Sequence, residues 1–152
     1  MSPIRENDST NAPVLVSACL AGIACRYNGC AAPHPAVLEL VRTGRAVAVC
    51  PERLGGLPTP REPMELVKGR AISRSGVDHT AGFVEGAVRA LAVCRKRGCT
   101  SSILKSRSPS CGAGAVYDGT FSGRLIPGDG IFAAMLRVEG IAVRTEEELE
   151  RS

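Results

Sequence analysis

Apolar positions along the chain gather into four short, unbroken and mostly β-branched runs: Val14 to Ser17, Ala46 to Val49, Ser102 to Lys105 and Ile141 to Arg144. Continuous rather than alternating runs are the pattern of strands buried on both faces, as in a parallel sheet. Between them the apolar spacing switches to a helical period. Ala36 to Arg42 follows a His34-Pro35 entry and stops near Gly44, while Gly82 to Arg97 places Phe83, Val84, Ala87, Val88, Leu91 and Ala92 at helical intervals before Gly98. Pro at a helix start and Gly just past its end are the expected punctuation. A third helix is predicted from Gly130 to Val138, and the Thr145-Glu-Glu-Glu tail predicts a short last one, with Thr145 as N-cap and acids in the first turn.

Strands that alternate with helices predict a single Rossmann-like, three-layer α/β domain with a mostly parallel sheet, in a Rossmann-like or flavodoxin-like strand order. Its expected extent is residues 14–152, after a polar leader over residues 1–13. The segment Gly55 to Ser75 breaks the alternation, being rich in Pro, Gly and charge. It reads as an excursion over the functional face, where long loops of compact domains are often employed. Aromatic residues make up only 3% of the chain and Trp is absent, so the core must be built from Val, Leu, Ile and Ala.

Charge narrows the function classes. The net charge of +4 is spread thinly, and aromatic stacking residues are scarce. This argues against a nucleic-acid tract. No apolar run approaches a membrane span, and the polar, acid-containing N-terminus resembles neither a signal nor a transit peptide. A cytoplasmic location follows as the expectation. In that reducing compartment disulfides are rare, and seven cysteines cannot pair completely. Metal binding or catalysis is then the favoured use for some of them.

Where the cysteines fall matters more than their number. Cys19 follows the first strand, Cys50 directly follows the second, and Cys111 comes shortly after the third. Ligands of open α/β sheets bind outside the carboxyl ends of the strands, where such residues meet although distant in sequence. None forms a C-x-x-C pair, which counts against zinc-ribbon, thioredoxin-like and bacterial ferredoxin patterns. Ordinary packing remains the competing use, because a free Cys behaves as a small apolar residue. The flanking loops favour a site: Pro51 and Pro109 stiffen them, Gly55, Gly56 and Gly112 permit close approach, and Lys105 and Arg107 favour thiolates. Arg61 is equally readable as a surface charge or a site residue. Cys94 and Cys99 lie in and just after the long helix and read as packing residues, while His34 and His79 lack a companion at ligand spacing.

Four motifs in order carry a family resemblance. They are Val16-Ser-Ala-Cys-Leu-Ala-Gly-Ile-Ala-Cys-Arg-Tyr-Asn-Gly29, Val49-Cys-Pro-Glu52 with Gly55-Gly-Leu-Pro-Thr-Pro-Arg61, Ile103-Leu-Lys-Ser-Arg-Ser-Pro-Ser-Cys-Gly112, and Tyr117-Asp-Gly-Thr-Phe-Ser-Gly123. Together they resemble the thiouracil desulfidase family from about Val14 to Ile141. The resemblance implies a [4Fe-4S] cluster held by Cys19, Cys50 and Cys111, with one iron left open to the sulfur of a small thiolated nucleobase. It also implies that Glu52 is the acidic catalytic residue and Ser108 the active-site serine. The chain departs from the family pattern at Asn28, often Asp, and at Cys30, an additional thiol. Cys25 is read as a near-site residue rather than a ligand. As a fourth ligand it would close the cluster and suit redox or sensing work instead, and a structural zinc protein is the other alternative.

Overall fold

The computed structural model describes residues 12–149 of the chain. Four strands, β1 (Val14–Ser17), β2 (Ala46–Val49), β5 (Ser101–Leu104) and β8 (Ala142–Thr145), form one sheet in the order β2-β1-β5-β8. Every pairing is parallel, with Val14 opposite both Ala46 and Ser101, and Ser101 opposite Ala142. The first two strands match the sequence reading residue for residue; β5 and β8 are displaced from it by one position each. The leader expected over residues 1–13 falls, up to residue 11, outside the described residues.

Helices α1 (Pro35–Arg42), α2 (Pro51–Leu54), α3 (Thr80–Arg97), α4 (Ile131–Val138) and α5 (Glu146–Leu149) connect and cover the sheet. Side chains from opposite faces of β1 enter different cores. Leu15 packs with Ala87, Leu91 and Cys94 of α3 and Phe132 and Leu136 of α4, whereas Val14 and Val16 pack with Val37 and Leu40 of α1. This is the three-layer arrangement, and the connections that leave the adjacent strands β1 and β5 run in opposite directions, to β2 and to β8. The point where the strand order reverses therefore lies between the carboxyl ends of β1 and β5, the position where open α/β sheets hold ligands.

Local sequence accounts for the helix ends. His34 caps α1, its Nδ1 accepting the Ala36 N–H at 3.2 Å, with Pro35 in the first turn. Gly98 closes α3 in the left-handed conformation, at φ 71°. At the last helix, the Thr145 N–H donates to the Glu148 carboxylate at 2.8 Å, one half of a capping box.

The segment Gly55 to Ser75 is more ordered than an excursion of loop. It contains an antiparallel hairpin, β3 (Met64–Val67) and β4 (Arg70–Ser73), joined through Lys68 and Gly69, both at positive φ. Those two residues make the primed turn that matches strand twist. A second hairpin, β6 (Ala115–Tyr117) with β7 (Leu125–Pro127), follows the Cys111 loop.

Candidate active site

Three strand ends deliver the site. Cys19 sits in a short 3-10 turn directly after β1, Cys50 is the residue between β2 and α2, and Cys111 ends the loop that leaves β5. All three line a single cavity of about 500 Å³, and so do Cys25, Glu52, Arg61, Lys105 and Ser108. A cavity of this size suits a small ligand rather than a macromolecule. Asn28 and Cys30 lie outside it in an exposed turn closed by the Cys30 N–H to Asn28 Oδ1 bond of 3.0 Å. Cys94 and Cys99 are buried in the core beside α4, as a packing role requires.

Helix α2 is placed by an unusually close approach to α3. A Cβ on Gly86 would lie 1.7 Å from the Pro51 carbonyl oxygen, and one on Gly55 would lie 1.9 Å from that of Gly82. Only glycine at both positions lets the two helices touch backbone to backbone. Cys50 and Glu52, at the start of α2, are held over the sheet by that contact.

Glu52 and Arg61 form a largely buried ion pair, their side chains 14% and 5% exposed. Both Nε, at 2.9 Å, and Nη2, at 2.7 Å, reach the same carboxylate oxygen, Oε1. Arg61 also donates to the carbonyls of Pro58 and Cys25 and to the Thr59 hydroxyl. The surface-charge reading of Arg61 is thus excluded: its guanidinium ties the Cys25 turn, the Glu52 helix and its own loop together. The contacts from Arg61 to this carboxylate thus converge on Oε1.

The Ser108 hydroxyl oxygen accepts the backbone N–H groups of Ser110, at 3.1 Å, and Cys111, at 3.0 Å. It fixes the turn that presents Cys111, and among the described residues its own proton meets no acceptor. Lys105 pairs with the buried Glu146 at 3.2 Å, and that carboxylate also takes the Ser106 amide and hydroxyl, each at 2.8 Å. Arg107 pairs with Glu147 at the surface. The acids of α5 therefore anchor the Cys111 loop, a role the sequence reading did not assign to them.

The thiols differ in their readiness to ionise. Burial pushes Cys19 up to about 11, against the pull of Lys105. Burial likewise raises Cys111, although the Ser17 hydroxyl works the other way. Cys25 and Cys50 are neighbours: a hydrogen bond from Cys25 favours the Cys50 thiolate and holds Cys50 down to about 7, while the same contact raises Cys25. Thiolates at Cys19 and Cys111 thus need a cationic partner, and a metal centre that displaces their protons supplies one.

The cavity offers soft thiols from Cys19, Cys50 and Cys111, the donor type that an iron–sulfur cluster takes. Among the described residues no three His, Cys, Asp or Glu side chains are grouped to share one metal ion.

Residues 14–148 match the family model of 2-thiouracil desulfurase. The chain belongs to that family. It is 44% identical over 146 residues to YbbK of Bacillus subtilis (strain 168), an uncharacterised protein, with 90% of this chain and 97% of the relative covered. A solved structure described as the [4Fe-4S]-dependent thiouracil desulfidase TudS is 42% identical and superposes with a TM-score of 0.87, over 92% of this chain and 94% of that one. The family resemblance read from the four motifs is borne out, and so is the α/β fold.

Proposed function

We propose that this chain is an enzyme that removes sulfur from a thiolated nucleobase, converting 2-thiouracil and water to uracil and hydrogen sulfide, with a [4Fe-4S] cluster held by Cys19, Cys50 and Cys111. The observation that carries this reading is that three cysteines from three strand ends share one cavity with Glu52 and Ser108. The likeness to a [4Fe-4S]-dependent desulfidase over nearly the whole chain supports it. When bound, a cluster with only three protein ligands supplies an open, soft Lewis-acidic iron that takes the thiocarbonyl sulfur and makes its carbon electrophilic.

The remaining work falls to the protein. Glu52 Oε2 takes a proton from the attacking water, while Arg61 holds Oε1 and fixes the direction of the carboxyl group. The same oxygen returns that proton to the departing sulfur, and the second proton of the water follows it as the carbonyl forms. Carbon loses a bond to sulfur and gains one to oxygen, so no net electron transfer is needed. Ser108, with its oxygen occupied by two amides, donates its hydroxyl proton to substrate or water. Cys25 stays outside the cluster and supports Cys50. No helix among the described residues is long and apolar enough to cross a membrane. A reducing cytoplasm suits thiols of this kind.

Anaerobic purification, iron and acid-labile sulfide counts, and 2-thiouracil turnover test the reading together. Iron and sulfide in equal amounts with release of uracil and sulfide are expected. Stoichiometric zinc without sulfide would sink it, as would a loaded protein that releases neither product. Cys25→Ala is expected to keep both the cluster and turnover; loss of the cluster would make Cys25 the fourth ligand and favour a redox protein. Glu52→Ala should keep the cluster and lose turnover, and loss of iron in that variant would reassign Glu52 to structure.

A further inference from the structure

A second buried carboxylate faces the same cavity from an element that carries no cysteine. Glu65 lies on β3 and is only 9% exposed. Its Oε1 accepts two backbone N–H groups, from Gly119 at 2.9 Å and Phe121 at 3.0 Å. Its Oε2 accepts nothing from the described residues. Nor is Oε2 sealed away, since among those residues Ser110 Oγ is the one fully buried side-chain polar atom without a partner. Glu65 lines the cavity, and Oε2 is the carboxylate oxygen that its two amide bonds leave available there.

The surroundings of Glu65 suit a flat, polar ring. The two amides it accepts belong to the loop that carries Phe121, held in the left-handed region at φ 57°, where a non-glycine residue is strained. Phe121 lines the cavity beside Tyr117, and the Arg74 guanidinium lies 5.3 Å above its ring. A carboxylate oxygen is an acceptor only, so its complement is a donor, and charge-assisted bonds of this kind are strong.

We propose that Glu65 is a specificity-determining residue, its free Oε2 accepting a ring N–H of the substrate base. The inference rests on the desulfurase reading and deepens it: the substrates are thiolated bases that keep a ring N–H, with N-alkylation at the read position excluded. The excursion Gly55 to Ser75 then serves recognition, while the strand-end loops serve chemistry.

Glu65→Gln tests this with little disturbance. The two amides of the 119–121 loop keep the Gln oxygen facing them, so the cavity receives an NH2 donor in place of an acceptor. In the cluster-loaded protein, calorimetric affinity for uracil and KM for 2-thiouracil should both weaken on the order of 10- to 100-fold. Turnover at saturation should change less, and melting temperature and iron content should match wild type. Unchanged uracil affinity and KM would overturn the proposal. If Glu65→Gln melts early, the substrates carry the test on wild-type protein: one of 1-methyl- and 3-methyl-2-thiouracil should lose a similar factor in kcat/KM, and equal processing of both with the parent compound overturns it. Wild-type protein that releases no sulfide from 2-thiouracil sinks the desulfurase reading instead, and leaves uracil binding to judge Glu65 alone.

Discussion

At Arg61 one guanidinium meets the Glu52 carboxylate, two carbonyls and a hydroxyl, with almost none of its surface exposed. Removing it strands a largely buried carboxylate and breaks the links among three segments. Cutting one partner of a buried pair costs about 3–5 kcal/mol, more than any exposed ion pair of this protein can offer. Arg61→Ala should therefore lower unfolding free energy by about 3 kcal/mol in denaturant titration. Arg61→Lys should recover only part of that, since one ammonium cannot span the same acceptors. Stability equal to wild type in Arg61→Ala would show that the pair is not closed in solution. Little of this was visible in the chain. The shared location of Cys19, Cys50 and Cys111 could be read because each follows an apolar run that declares its strand, whereas Glu52 was singled out by the family resemblance and by standing two residues after Cys50. Arg61 and Glu65 could not, because their partners are fixed by tertiary contacts: Arg61 reaches 36 residues back to Cys25, and Glu65 reaches 56 forward to Phe121.

Two short helices set the geometry around those residues. The placement of α2 depends on Gly86, which lies inside the long α3. Replacing a helix-interior glycine by alanine ordinarily stabilises by up to about 1 kcal/mol. Here the added methyl would collide with the Pro51 backbone, which cannot swing aside as a side chain could. Gly86→Ala should therefore reverse the usual sign, lowering the melting temperature and shifting Cys50 and Glu52 enough to reduce iron retention. A raised melting temperature would refute the close approach. At the other end, α5 holds the Cys111 loop through Glu146. Burial alone would raise that carboxyl, but hydrogen bonds from the Ser106 hydroxyl and amide, aided by Lys105, outweigh it and hold the group below the ordinary 4.5. A depressed native value stabilises the fold above about pH 4.5, and that contribution is lost as pH falls through the lower native value. The melting-temperature advantage of wild type over Glu146→Gln should be full near neutrality and shrink below pH 4.5; a constant gap would disprove the linkage. The pattern of apolar runs disclosed the four sheet strands and the helices between them, most sharply β1 and β5, which are buried almost throughout. The two hairpins escaped it although β3 and β4 are as long as the sheet strands: Glu65 and Arg70 interrupt their apolar runs, β6 and β7 are three residues each, and the Lys68-Gly69 turn lacks the Asn or Asp that usually announces such a corner.

Across the whole molecule, the proposed ligands come from the loops after β1, β2 and β5, which are separated by 31 and 61 residues of chain, as the numbers of Cys19, Cys50 and Cys111 give. A group bound to all three closes two long loops and has no equivalent site in the unfolded chain. Binding to the native state alone stabilises by mass action, about 4 kcal/mol when the ligand is at a thousand times its dissociation constant. For a chain of this size, 1 kcal/mol moves the melting temperature by about 2–4 °C. The loaded protein should therefore melt on the order of 10 °C above the protein stripped by a chelator. Cysteine variants then separate ligand from packing roles without any assay of turnover. Serine at Cys19, Cys50 or Cys111 should erase most of the difference between loaded and stripped protein while leaving the stripped melting temperature near wild type. Alanine at Cys94, buried between α3 and α4, should lower both temperatures together and preserve the difference. If the Cys111 variant behaved like the Cys94 one, Cys111 would be a core residue, and the three-cysteine cluster would have to be abandoned.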